Sequence, residues 1–317
     1  MRCENVTLDI AGAVVGVNLV GLVGGLGYTY NTAFYSDPKK RAELYRGLPE
    51  DSDDPEIIRR RALITDIENL PAERVYITSR DGLRLSARYY HVADGAPIEI
   101  LCHGYRSMHQ RDYGGIHEIG KSLGHNLLMI DQRSHGESEG KTITFGIKES
   151  GDVMGWIDYC NKRFGEVPIL LYGVSMGGAT VLMAAGEKQL PKNVKGVIAD
   201  CPMSSALDII KIVSTGMGPG SFMAGALARI SARMHGFSLT KNSAEKAVTR
   251  AEVPILLLHG DEDDLVPYFM AQRIAAANPK IQFETFACRP HARCYLHHTE
   301  RYTEVVKDFM ERALSKE

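Results

Sequence analysis

Val167-Pro168-Ile169-Leu170-Leu171-Tyr172-Gly173-Val174-Ser175-Met176-Gly177-Gly178-Ala179-Thr180-Val181-Leu182-Met183-Ala184-Ala185 is the stretch whose reading decides the fold. Its first six residues are short, apolar and strand-like. Its last eight are rich in helix formers. Between them lies a G-x-S-x-G pentapeptide, which puts Ser175 on a strand-to-helix turn. Such a turn is tight enough to require glycine on both sides, because the backbone crowds the neighbouring strand and helix. It lifts the serine hydroxyl clear of the sheet, at the positive end of a helix. A nucleophile needs that position, because negative charge develops there in the transition state.

Outward from this turn, apolar strands alternate with helical stretches. The expected strands are 97–102, 126–130, 168–172, 194–199, 254–259 and 281–286, most of them apolar through their length. Fully apolar strands separated by helices predict a parallel sheet covered on both faces. Ahead of them, residues 74–79 and 83–90 alternate around Arg80-Asp81-Gly82, which reads as a hairpin turning at Asp-Gly and extending the sheet's leading edge. Between Cys201 and Val253 the alternation breaks. Methionines, phenylalanines and glycines crowd a stretch too long for an ordinary connection. It predicts a small helical cap, residues 203–248, over the carboxyl ends of the strands.

The chain has 317 residues, 44% of them hydrophobic, and a net charge of -2. That suffices for a sizeable core and provides no basic field for nucleic acid. Six cysteines at 3, 102, 160, 201, 288 and 294 form no C-x-x-C pair, so they support neither a zinc site nor a redox motif and read as free thiols. No metal and no organic cofactor is expected. A bridge between Cys288 and Cys294 is left open.

The N-terminus differs from the rest. Residues 10–29 carry no charge and contain two G-x-x-x-G spacings, Gly12/Gly16 and Gly21/Gly25. The run is long enough to cross a bilayer and is followed by Lys39, Lys40 and Arg41. Residues 1–35 are therefore read as an apolar helix held in or against a membrane, separable from catalysis. The alternative is a helix docked on the domain or on a second copy in a homodimer. Residues 36–72 read as a charged helical connector packed loosely on a main domain, residues 73–317.

A serine hydroxyl becomes a nucleophile when a base takes its proton and a carboxylate orients that base. Two downstream segments end strands with the right chemistry. His259-Gly260-Asp261-Glu262-Asp263-Asp264-Leu265-Val266-Pro267 offers four acidic residues. Ala287-Cys288-Arg289-Pro290-His291 offers a histidine just after the last strand, with His297 and His298 as competitors at the start of the last helix. His135 reads as a structural loop residue and His259 as a hydrogen-bonded core histidine. Trp156, with Glu149 and Asp152, reads as packing and solvation.

From about residue 74 onward the chain resembles an α/β-hydrolase, and within that superfamily it is similar to the BEM46-like and serine-aminopeptidase-like bacterial hydrolases. The motifs that carry the resemblance are His103-Gly104-Tyr105, Asp131-Gln132-Arg133-Ser134-His135-Gly136-Glu137-Ser138, Gly173 to Gly177 and His259 to Pro267. The second departs from the family pattern at Ser134, where a glycine is usual. The fourth matches H-G-x-x-D-x-x-V-P and implies Asp263 as the acid. The resemblance thus implies an α/β-hydrolase fold with the triad Ser175, Asp263 and His291. The backbone N–H groups of Tyr105 and Met176 would form an oxyanion hole. His103, Tyr105, Met217 and Phe222 are expected around the substrate.

The expected function is hydrolysis of carboxylic esters of small molecules through an acyl-enzyme. Aminopeptidase, thioesterase or acyltransferase chemistry shares the same groups. A membrane-tethered binding protein on a retired hydrolase fold is the reading from another class, and it predicts a broken triad position.

Overall fold

The computed structural model describes residues 22–41, 48–49, 51–215, 218 and 220–315. Its centre is one eight-stranded sheet in the order β1-β2-β4-β3-β5-β6-β7-β8. Strands β1 (Glu73–Thr78) and β2 (Arg84–Tyr90) form the antiparallel hairpin. Gly82 turns it with φ +87°, a conformation open to glycine at no steric cost. Strand β2 then pairs antiparallel with β4 (Asn126–Ile130). Strands β3 (Ile98–Cys102), β5 (Ile169–Val174), β6 (Val194–Asp200), β7 (Ile255–Gly260) and β8 (Gln282–Phe286) complete a parallel sheet with β4.

The absence of alternation in the central strands has its physical cause here. Every residue of β3, β4, β5 and β7 is buried. Ile98, Ile100, Leu128 and Ile130 face one core, with the helix Glu149–Phe164 and the helix Met176–Ala185 against it. Leu101, Leu127 and Met129 face the other, with the helix Thr299–Leu314. Val153, Trp156, Ile157 and Cys160 recur at helical spacing and seat the first helix on the sheet. Glu149 and Asp152 on that helix are buried rather than solvated. Glu149 accepts from the Thr144 and Gly146 backbone N–H groups, and Asp152 pairs with Arg133. A charged side chain becomes tolerable inside only with such partners.

Among the described residues, the chain between β6 and β7 forms the helices Ala206–Thr215, Ser221–Met234 and Ala244–Val248; the first two pack on each other, and the third packs against the helix Met176–Ala185. This is the stretch expected as a cap.

The N-terminal expectations need correction. Residues 22–29 are α-helical and lead into a π-helical turn, Tyr30–Phe34. Phe34 is fully buried and packs edge-on against Phe145 and Phe237. Its carbonyl accepts from Ile143 N–H at 2.8 Å. Tyr35 bridges to Thr142, and the Ser36 hydroxyl donates to the Ser134 carbonyl at 2.6 Å. A division at residues 35 and 36 therefore cuts through packed core. Nor is the connector loose. Its helix, Pro55–Glu68, starts with Asp54 accepting from Glu56 N–H, and it buries Ile67. Glu56 then pairs with Arg293 at 3.1 Å. Residues 1–21 lie outside the described residues, and with them most of the uncharged run. Among the described residues no helix is long and apolar enough to cross a membrane.

Candidate active site

Ser175 sits between β5 and the helix Met176–Ala185 with φ +56° and ψ -116°. That is a strained conformation for a residue with a side chain, of the kind that persists only where the surroundings over-determine it. The flanking glycines make it attainable. A Cβ on Gly177 would stand 1.7 Å from the Cys102 carbonyl oxygen, and one on Gly173 would stand 2.1 Å from that of Gly177. Further non-glycine residues with positive φ gather nearby: Arg106, Cys201 and Ala292.

The histidine expected after β8 reaches this turn. His291 Nε2 lies 2.8 Å from Ser175 Oγ, and its Nδ1 lies 2.6 Å from Asp263 Oδ2. Asp263 also accepts at Oδ1 from the Leu265 and Val266 backbone N–H groups, at 2.9 and 2.8 Å. Although burial opposes it, the hydrogen bond and charge of His291 lead the partners that hold the Asp263 carboxyl below its ordinary value. The three side chains form a row along which a proton can pass from hydroxyl to imidazole, with the acid fixing the ring's orientation.

The competing residues have other work. Asp261 accepts from Cys288 N–H, and Asp264 accepts from His291 N–H, so both shape the loops that carry the row. His297 pairs with Glu56, and His298 contacts the Ala287 carbonyl. His259 is fully buried and contacts the Val266 carbonyl at 2.9 Å. Burial pushes its pKa down.

The loop after β3 passes close to the serine. A Cβ on Gly104 would lie 3.4 Å from Ser175 Cβ. The Gly104 N–H donates to Asp112 and the Arg106 N–H donates to His135 Nε2. These bonds hold the amides on either side of Tyr105. Met176 opens the helix, so its N–H is one of the four that a helix leaves without an internal partner.

Beside Ser175 lies a cavity of about 230 Å³. Tyr105 and Phe145, stacked at 5.0 Å, form one side of it. Met203, Ile209, Ile210 and Val213, from the stretch between β6 and β7, form another, with Leu265 and Val266. Thr32 and Ala33 of the N-terminal segment close it. The expected pocket needs correction at two positions. His103 is fully buried behind the loop, where it contacts the Gly104 carbonyl and accepts from Gln132 N–H. Phe222 is 78% exposed on the outer face of the helix Ser221–Met234. Met217 lies outside the described residues. Ile209, Ile210 and Val213 were legible as the apolar face of a helix. Nothing local in the sequence singles out Thr32 and Ala33.

Among the described residues, Cys201, Asp263 and His291 have potential metal-ligand atoms within 4.8 Å of one another. The Asp263 and His291 atoms, however, are turned on each other. Burial pushes the Cys201 thiol well up, away from the thiolate a metal requires. The set fits a proton relay better than a metal.

Residues 100–246 match the family model of the alpha/beta hydrolase fold. YqkD of Bacillus subtilis, an uncharacterized protein, is 25% identical over 229 residues, covering 70% of this chain and 74% of its own. Est1E from Butyrivibrio proteoclasticus, solved with bound ferulic acid, is 26% identical with a TM-score of 0.62, covering 76% of this chain and all of its own. The Pyrococcus furiosus esterase Pf2001 shares the fold at 24% identity and a TM-score of 0.62, over 78% of this chain and 94% of its own.

Proposed function

We propose that this chain, an α/β-hydrolase by fold, is a serine hydrolase that cleaves carboxylic esters through an acyl-enzyme. The observation that carries the reading is the row Ser175–His291–Asp263, with contacts of 2.8 and 2.6 Å, opening on an apolar cavity. In the proposed mechanism Ser175 Oγ attacks the ester carbonyl as His291 Nε2 takes its proton. Asp263 holds the opposite ring nitrogen and stabilises the imidazolium that forms. The backbone N–H groups of Met176 and Tyr105 receive the developing oxyanion. His291 returns the proton to the leaving alcohol. Water, activated by the same imidazole, then releases the acid.

The cavity argues for the ester over the aminopeptidase reading. Among its lining residues there is no carboxylate to receive a peptide's charged amino group. Its apolar walls suit an acyl chain or ring, as burial of apolar surface stabilises such a group by roughly 25 cal/mol per Å².

The test is labelling with a fluorophosphonate, with Ser175→Ala as control. It is joined to a panel of p-nitrophenyl esters of increasing acyl length beside aminoacyl amides. The proposal expects labelling that depends on Ser175 and turnover confined to esters. Amide turnover with idle esters would reject the substrate class. Labelling that persists in Ser175→Ala would reject the nucleophile.

A further inference from the structure

The outer face of the cap helix Ser221–Met234 is apolar and exposed among the described residues. Phe222, Met223, Ile230 and Met234 recur on one side of it, and all are exposed, Met234 at 68%. Gly225, Ala228, Ser231 and Ala232 form its buried side. The exposed face also carries Arg229 and Arg233.

This face continues onto the N-terminal segment. Gly25 lies against Leu227 of the cap helix, and Tyr30 stacks on His235 with ring centroids 3.7 Å apart. Leu22, Val23 and Tyr28 of the segment are exposed beside it. It reaches the cavity mouth at Val213 and Leu265, which are themselves exposed. Most of the large exposed hydrophobic side chains of the described residues thus belong to one surface around the entrance to the site.

Charge decides what fits that surface. From residue 221 to residue 234 there is no acidic residue, while Arg229 and Arg233 are basic and exposed, in a chain of net charge -2. The sequence from residue 10 to residue 36 carries no charge of either sign. A second copy docked face to face would bring four arginines together in an apolar contact, which like-charge repulsion disfavours. An anionic lipid surface matches both halves of the pattern, with side chains such as Phe222 seated at the acyl boundary and the arginines among the headgroups.

We infer that the outer face of the cap helix, with the adjoining N-terminal helix, docks the protein on an anionic phospholipid surface with the cavity mouth at the lipid boundary. Delivery of a lipid-borne ester into the cavity follows only on the esterase reading. The docking itself does not depend on it.

The test uses full-length Ser175→Ala protein, which leaves the lipid intact whatever the reaction. It is floated with phosphatidylglycerol vesicles and with phosphatidylcholine vesicles at several salt concentrations. Binding is expected to the anionic vesicles and to weaken with salt. Phe222→Ser/Met223→Ser/Met234→Ser, with residues 1–41 intact, is expected to bind roughly tenfold or more weakly at an unchanged melting temperature. Arg229→Glu/Arg233→Glu is expected to lose the salt-sensitive part. Unchanged flotation of the triple variant would overturn the inference, because residues 1–21 would then hold the protein. So would absence of binding to anionic vesicles, or a dimer that the triple variant abolishes without any vesicle binding. Failure of the esterase reading would register in the labelling experiment and leave flotation untouched.

Discussion

The Tyr105 phenol donates a hydrogen bond to the Ala33 carbonyl at 3.0 Å. The next residue, Arg106, donates through Nη2 to the Thr32 and Tyr35 carbonyls at 2.9 and 3.0 Å. Helix-end carbonyls need partners from outside the helix, and the loop beside Ser175 supplies them. The N-terminal segment is thereby a wall of the cavity and a support of the loop proposed to bind the oxyanion.

Removing residues 1–34 is therefore expected to harm the enzyme, contrary to a separable anchor. Phe34 alone fills a fully buried position, and its truncation to alanine should cost about 3–5 kcal/mol. The deletion should lower the melting temperature, reduce ester turnover and broaden acyl-length preference as the cavity opens. Tyr105→Phe should cost about 1 kcal/mol and move the preference less. Unimpaired stability and an unchanged ester profile in the deletion would show that the segment is dispensable.

Ser175→Ala and His291→Ala should each lower kcat by about 10⁴-fold or more, and the double variant should be little worse than either, because the groups act as a unit. Asp263→Asn should cost orders of magnitude while leaving the fold intact. His297→Ala should be near normal, since His297 faces Glu56 and not Ser175. Full activity in His291→Ala would remove the proposed base.

Much of this was legible because it is local. Strand lengths, the hairpin turn and the serine turn follow from apolar runs and from glycines that backbone crowding enforces. The strand ends that bear Asp263 and His291 follow in the same way. What was not legible depends on long-range packing. Glu149 and Asp152 sit at positions that read as a solvated face, and only the fold brings Arg133 and the 144–146 loop to them. Phe34 resembles the end of an apolar helix until the Phe145 and Phe237 rings meet it. Phe222 has the composition of a pocket residue, but the orientation of its helix, set by the buried Gly225 and Ala228, turns it outward.

Ser134 resolves the departure from the family pattern in the loop after β4. It adopts φ +64°, the left-handed conformation that a glycine would take at no cost. The strain is offset by its side chain, since Ser134 Oγ donates to the Thr142 carbonyl at 3.0 Å. Ser134→Gly relieves the strain and loses the bond, so stability should change by less than about 1 kcal/mol. Ser134→Ala keeps the strain and loses the bond, so it should be the less stable of the two. Chemical denaturation of both variants checks the order.

Asp200 provides the expected pH dependence of stability. It ends β6 fully buried, with its backbone carbonyl accepting from Ser175 N–H and its carboxylate accepting from the Tyr302 hydroxyl at 2.8 Å. Burial, only partly countered by that hydrogen bond, pushes its pKa up to about 6. An unfolded aspartate titrates near 3.9. Between those values the folded chain holds the proton and the unfolded chain has lost it, so stability falls as pH rises through the window and levels off above it. The full difference amounts to about 3 kcal/mol at one proton. Asp200→Asn preserves an acceptor for Tyr302 and removes the titration. The variant should match the parent near pH 4 and exceed it by about 2–3 kcal/mol at pH 7.5, as read from urea denaturation at the two pH values. An equal loss at both would mean that Asp200 is held for its contacts alone.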